Sequence, residues 1–422
     1  MRHNSGVAAR DGRLDEQLLK SKLCRFVFLS KTFMIYLDNN ATTALDPEVR
    51  EAMLPWLGDE NYGNPSASYR FGKAAKKAIE TAREQVAALI SAQPEEIIFT
   101  SGGTESNHSA LRSAIGTWPD RKEILTSTVE HSAIFEAGEF YESIGYVHRM
   151  NPVDSCGRLD LDAWESALSD RTTIASLIFA NNETGVLSPI AEAAAAAKSH
   201  GVCFHTDAVQ AVGKVPVSVA DSPIQMLSIS AHKLHGPKGI GALFVNQNSR
   251  FQPTILGGGQ EGGRRSGTEN VAGIVGFGKA AEIALAAMDH HDSMRQLRDD
   301  FETAVIEKIE GIEVNGDRDQ RLPNTSNLSF PGVDGEGLLI LLDEAGVCCS
   351  PGSACSTGSV KPSRIIKAMG YSSDRARSSV RFSLSKYTNA VEISDVVSKI
   401  EKAVGKLRIV MPTSGSRVII NS

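Results

Sequence analysis

Between about residues 75 and 285, short β-branched runs alternate with helical patterns, and this alternation restricts the chain to one class of fold. Ile97–Thr100, Ile124–Ser127, Thr173–Phe179, Val202–His205 and Met226–Ile229 read as strands. Residues 73–90 and the alanine-rich stretch 190–199 read as helices. Such a pattern predicts a mixed, mostly parallel sheet covered by helices on both faces. Gly241–Val245 adds a strand after a glycine turn. From about residue 287 the pattern changes to long amphipathic helices (288–310 and 391–408), with strands near 325–330 and 379–384. The expected architecture is α/β: a large domain over 49–286 and a smaller α+β domain built from 34–48 and 287–408. Residues 1–33 read as a disordered extension and 409–422 as a flexible tail.

Composition narrows the function classes. The chain has 422 residues, 41% apolar and 22% charged, with a formal net charge of −6, so neither a nucleic acid nor an anionic membrane surface is the expected partner. No apolar run approaches the ~20 residues that cross a bilayer. The six cysteines lack disulfide-scaffold spacing and form no CxxC pair, which points to a reducing, cytoplasmic setting and to no zinc site.

In an open α/β sheet, ligands sit beyond the carboxyl ends of the strands. Five predicted strand ends carry polar residues there: Thr100-Ser-Gly-Gly-Thr-Glu-Ser, Glu130-His131, Asn181-Asn182-Glu183, Asp207 and Ser230-Ala-His-Lys233. The last belongs to Ser-Ile-Ser-Ala-His-Lys-Leu-His-Gly-Pro-Lys-Gly at 228–239. A lysine at the end of a buried strand is costly unless it is used. The economical use is a Schiff base with pyridoxal 5′-phosphate (PLP), with Ser230 and His232 reaching the phosphate. Gly103 and Thr104, at a helix start, supply backbone amides and a hydroxyl to the same anion; the competing reading is a plain helix cap. Asp207 suits the pyridinium nitrogen, keeping the ring an electron sink, against the alternative of an N-cap. Gln210 is placed to hydrogen-bond the ring 3-hydroxyl. His131 is read as stacking on the ring and moving protons, and Asn182 as orienting the phenolate and binding the substrate carboxylate. Arg381 suits bidentate capture of an α-carboxylate, against a surface ion pair if it faces out. Cys355 sits in a small, polar, Gly-rich segment, Ser350-Pro-Gly-Ser-Ala-Cys-Ser-Thr-Gly-Ser, which predicts a mobile surface loop carrying a nucleophile. Cys203 reads as core packing, and Cys348 and Cys349 as structural.

These residues resemble the NifS/IscS-type, group I cysteine desulfurases of the class V aminotransferase superfamily. The resemblance runs from Ile35-Tyr-Leu-Asp-Asn-Asn-Ala-Thr-Thr to about residue 405, and is carried most specifically by Gly257-Gly-Gly-Gln-Glu, Arg265-Ser-Gly-Thr-Glu-Asn and Gly352-Ser-Ala-Cys355. It implies a PLP-dependent fold type I homodimer in which Thr268 reaches the phosphate of the other subunit's PLP. It also implies conversion of L-cysteine to L-alanine with a persulfide on Cys355. The sulfur then passes to an iron–sulfur scaffold or another acceptor, with at most a transient cluster contact at Cys355. Tyr69, His108, Gly262 and Pro351 depart from the pattern; Pro351 bears on the stiffness of the cysteine loop. Rival readings are a class V aminotransferase or selenocysteine lyase, and a non-catalytic scaffold of the same fold.

Overall fold

The computed structural model describes residues 34–288, 291–351 and 362–410; the expected extension 1–33, Cys355 and the tail beyond residue 410 lie outside the described residues. The strands are β1 (Ile35–Tyr36), β2 (Ile97–Thr100), β3 (Glu123–Ser127), β4 (Val147–Asn151), β5 (Thr172–Ile178), β6 (Cys203–Asp207), β7 (Met226–Ser230), β8 (Gly241–Val245), β9 (Glu313–Val314), β10 (Thr325–Ser329), β11 (Val347–Cys348), β12 (Ser350–Pro351) and β13 (Ser379–Ser383). The α-helices are α1 (Pro47–Met53), α2 (Arg70–Leu89), α3 (Gly103–Thr117), α4 (Ser132–Ser143), α5 (Leu161–Ala167), α6 (Ile190–Ser199), α7 (Val271–Ala286), α8 (His291–Lys308), α9 (Gly335–Glu344), α10 (Arg364–Ala368), α11 (Ser373–Arg377) and α12 (Ala390–Val410).

Strands β2 to β8 form a seven-stranded sheet in the order β2-β8-β7-β6-β5-β3-β4. Only β8 runs against its neighbours, and the pairs from β7 through β4 are parallel. Because β8 opposes both β2 and β7, those two run the same way, so β2, β3, β5, β6 and β7 all end on one edge. Successive residues of these strands bury on opposite faces. Phe99, Leu125, Ala175, Phe204 and Leu227 join one core with residues of α2, α6 and α7. Ile98, Ile124, Ile174, Cys203 and Met226 join another with Ala110 and Leu111 of α3 and Ile134 of α4. Burial on both faces is why the strands read as continuous apolar runs.

Helix α2 buries Ala75, Ile79, Ala82, Val86 and Leu89, a three- and four-residue spacing that makes one apolar stripe. It crosses α7 closely because a Cβ on Gly278 would stand 2.6 Å from the Ala82 Cα. The second sheet has the order β12-β13-β10-β9, and a separate core gathers Leu37, Phe301, Leu328, Phe330, Val380, Phe382 and Ile400. In the β10–β13 register Asn327 stands opposite Arg381. The segment after β1 ties the two sheets together. Asn40 N–H donates to the Ser383 hydroxyl at 2.9 Å, and Thr43 N–H donates to the His232 carbonyl at 3.0 Å. No helix among the described residues is long and apolar enough to cross a membrane.

Candidate active site

A cavity of about 430 Å3 opens at the common carboxyl edge of the strands. Lys233, Asp207, His131, Asn182, Gln210, Ser230, His232, Gly103, Thr104 and Arg381 all line it. Ser350 and Pro351, which precede the segment carrying Cys355, close another part of the wall. Thr268 lies elsewhere, in a cavity of about 240 Å3 with Thr100, Ser101 and Arg265.

Each side chain is placed by a local feature. Asp207 ends β6; its Oδ1 accepts the Val209 N–H at 3.0 Å and its Oδ2 accepts from Asn107 Nδ2 at 2.7 Å. Asn107 is one turn into α3, and its Oδ1 is buried without a partner. The α3 N-terminus has no side-chain cap, so the amides of its first turn are left for another acceptor. A Cβ on Gly103 would fall 2.7 Å from Val209, and one on Gly241 would fall 2.7 Å from the Gly102 Cα, so these glycines let the loop lie against the strand end.

Lys233 sits in the single turn after β7. Its Nζ donates to the carbonyls of Asn40 at 2.5 Å and Ala41 at 2.7 Å. Burial, with Arg381 adding to it, holds its pKa down at about 8. Burial likewise pushes His232 to about 4, and its Nδ1 meets the Thr42 hydroxyl at 3.2 Å. The His131 ring is open to cavity water yet ringed by protein, and that desolvation lowers its pKa. Its Nδ1 accepts the Ala133 N–H at 3.1 Å as the N-cap of α4, so the neutral ring carries its proton on Nε2, which is free to face the cavity.

Arg381 faces inward and is 6% exposed, not a surface ion pair. Its guanidinium donates to Asp38 Oδ1 at 2.7 Å and to the Asn182 carbonyl at 2.8 Å, and its Nε is buried without a partner. The Gln210 carboxamide is engaged at both ends. Its Nε2 donates to the Asn40 carbonyl at 2.8 Å and its Oε1 accepts from Lys214 at 2.8 Å. Two further acids belong to the surroundings: Glu183 lines the cavity and Glu130 accepts the N–H of the lining residue Ile178 at 2.9 Å, and burial raises Glu130 to about 8 and Glu183 to about 7. Among the described residues no His, Cys, Asp and Glu cluster could hold a metal ion. Cys203 is buried in the sheet, where desolvation pushes its thiol up to about 12.

Residues 35–396 match the aminotransferase class-V family. The chain is 48% identical over 380 residues to the cysteine desulfurase of Nostoc sp., covering 90% of this chain and 95% of that protein. It is 46% identical over 380 residues to the cysteine desulfurase NifS of Azotobacter vinelandii, covering 90% of this chain and 94% of that one. The chain belongs to the cysteine desulfurases of the class-V aminotransferase family. A solved NifS-like protein superposes with a TM-score of 0.83 at 35% identity, covering 89% of this chain and 100% of that one.

As a member of that family the desulfurase is a PLP-dependent enzyme, and the cavity fits the group. It offers an amine of lowered pKa, a carboxylate fixed by Asn107 and Val209, and an uncapped helix start beside Ser230 and His232. Other residues at the cavity were given no role from the sequence, although Glu183 stands in one of the strand-end clusters. Asp38, Asn40, Asn107, Glu183 and Lys214 all touch the cavity lining. Asn107 stands four residues after Gly103 and Lys214 four after Gln210, and that spacing was the available signal. Asp38 and Asn40 had no such signal, because their partners lie 142 to 343 residues away.

Proposed function

We propose that this enzyme cleaves the C–S bond of L-cysteine, releases L-alanine and carries the sulfur as a persulfide on Cys355. The balance is one thiol and L-cysteine giving one persulfide and L-alanine, with no external oxidant. The single observation that supports it most is that Lys233, Asp207 and Arg381 converge on one cavity whose wall includes Ser350 and Pro351, the residues that lead toward Cys355 in the sequence.

Bound PLP supplies an electron sink for the Cα and Cβ of an amino acid. The phosphate is assigned to the α3 N-terminus at Gly103 and Thr104, with Ser230 and His232. Asp207 holds a proton at the ring nitrogen, and Gln210 faces the ring oxygen. Arg381 and Asn182 grip the substrate carboxylate, leaving the amino group toward Lys233. With a pKa near 8, Lys233 exchanges protons near neutrality and takes the Cα proton. His131 moves a proton through Nε2. Cys355 receives the sulfur.

Thr268 is assigned to a second copy of the chain, since in its own subunit it lies outside the cavity that holds the other residues. Tyr62 and Phe71, both exposed and stacked with ring centroids 5.7 Å apart, support an apolar contact with that second copy. The division into a domain over 49–286 and one over 34–48 with 287–408, a cytoplasmic setting, and delivery to an iron–sulfur scaffold or another sulfur acceptor complete the proposal. Its test is the purified enzyme with L-cysteine and a thiol reductant, assayed for alanine and sulfide. Equal amounts of the two are expected. Pyruvate with ammonia, or a keto acid formed by transamination, would overturn it.

A further inference from the structure

Lys214 is a buried lysine that the reaction described above does not use. It is 8% exposed, and burial, with Lys233 and Arg381 adding repulsion, puts its pKa well below the usual lysine range. Among the described residues it makes no ion pair. Its Nζ donates instead to two neutral oxygens, Gln210 Oε1 at 2.8 Å and Asn40 Oδ1 at 3.2 Å. A buried amine without a carboxylate is costly, so this arrangement calls for a purpose.

Lys214 does not line the active-site cavity. It reaches Gln210 and Asn40 from a second, mostly apolar cavity of about 560 Å3, walled by Leu234, Ile283, Met294, Leu297 and Leu384. That cavity is the larger of the two, and its charged lining is basic: Lys214, Lys233 and Lys386. Between the cavities the donor chemistry permits one orientation. The Asn40 carbonyl only accepts, so the Gln210 atom 2.8 Å from it is the amide nitrogen. The Gln210 oxygen then faces Lys214, which donates. One N–H of the Gln210 amide is spent on Asn40, and the second remains for the cavity that Gln210 lines. The Asn40 carbonyl also receives Lys233, and the Asn40 side chain donates to Thr325 Oγ1 at 2.8 Å.

We propose that Lys214 is a positioning residue: from behind the cavity it fixes the Gln210 carboxamide and the Asn40 side chain, so that Gln210 presents an N–H, not its oxygen, to the bound cofactor. The proposal rests on the PLP reading of the cavity and adds a residue that touches neither cofactor nor substrate.

The test is retention of PLP by the holoenzyme, read as loss of its visible absorbance on dilution, with unfolding of each apo-protein measured alongside. Gln210→Leu and Lys214→Met are each expected to weaken retention about tenfold, the loss of one hydrogen bond to a charged group. The double variant is expected to be no worse than Gln210→Leu alone, because Lys214 acts through Gln210. Lys214→Gln keeps an N–H donor and is expected to retain PLP within about twofold of wild type. Wild-type retention in Lys214→Met, or losses that add in the double variant, would overturn the proposal. Where Lys214→Met fails to fold, loss in Lys214→Gln equal to that of Gln210→Leu overturns it. A wild-type protein with no visible PLP band would instead remove the cofactor reading itself.

Discussion

The Asp38 carboxylate holds the Arg381 guanidinium at 2.7 Å through Oδ1, while its Oδ2 accepts the Ser350 hydroxyl at 2.8 Å. One acid thus orients the arginine assigned to the substrate carboxylate and anchors the root of the Cys355 segment. A planar fork held in this way is not replaced by an ammonium. Arg381→Lys is expected to raise the KM for L-cysteine about 10- to 100-fold, the scale of a lost charge-assisted pair, with a smaller change in kcat. Steady-state kinetics with L-cysteine as the varied substrate check it; an unchanged KM would remove Arg381 from the substrate site.

Lys233 should govern how the apo-enzyme takes up PLP. Only the neutral amine is nucleophilic, so the uptake rate rises with pH and levels off above the amine's pKa. Burial first, and Arg381 second, lower that pKa to about 8, with Asp207 and Asp38 opposing. The expected uptake midpoint is therefore near pH 8, and Arg381→Ala is expected to move it upward by removing a neighbouring cation. Stopped-flow absorbance across pH measures it. A midpoint near the ordinary lysine value of about 10.4 would contradict the burial of the amine.

His131 has two separable duties. Its Nδ1 caps α4 and its Nε2 faces the cavity. His131→Ala is expected to destabilise the apo-protein by ~0.5–2 kcal/mol, the usual cost of a lost N-cap, and to lower activity. His131→Asn keeps a capping side chain, so its urea unfolding should match wild type while its activity stays low. Equal activity in the two proteins would leave His131 a structural residue.

The loop bearing Arg265 and Thr268 is fixed by a buried ion pair. Arg83 donates to both oxygens of Glu261 at 2.8 Å, and the Phe99 N–H donates to the same carboxylate at 2.8 Å. Glu261 holds a left-handed backbone at φ 50°. Arg83→Ala leaves that carboxylate buried and unpaired, with an expected cost of ~3–5 kcal/mol in urea unfolding. Replacing both partners by apolar residues should recover part of it.

The fold was legible where burial was two-sided. Ile97–Thr100 and Gly241–Val245 coincide with β2 and β8, and residues 190–199 with α6, because strands covered on both faces and an alanine-rich helix leave plain patterns. The strand Val147–Asn151 was missed. It pairs only with β3 at the sheet edge, and His148 and Asn151 are its buried residues, so its pattern is polar. In the site, strand-end residues such as Lys233 and Asp207 were visible because α/β topology gathers them. The supports were not: Asp38 meets Arg381 across 343 residues of chain, and nothing local in Leu-Asp-Asn-Asn announces that contact. Gln210 shows the limit of composition. Its place at the cavity was readable, but its two bonded ends depend on Asn40 and Lys214.

The central claim is that sulfur leaves L-cysteine and lands on Cys355. The most direct measurement incubates the holoenzyme with sulfur-labelled L-cysteine in the absence of reductant and maps the labelled peptides, beside Cys355→Ala. The expected result is label on the Cys355 peptide alone, with Cys355→Ala still binding PLP and L-cysteine but forming no persulfide. Label on Cys348 or Cys349, with Cys355→Ala still releasing sulfide at the wild-type rate, would contradict it.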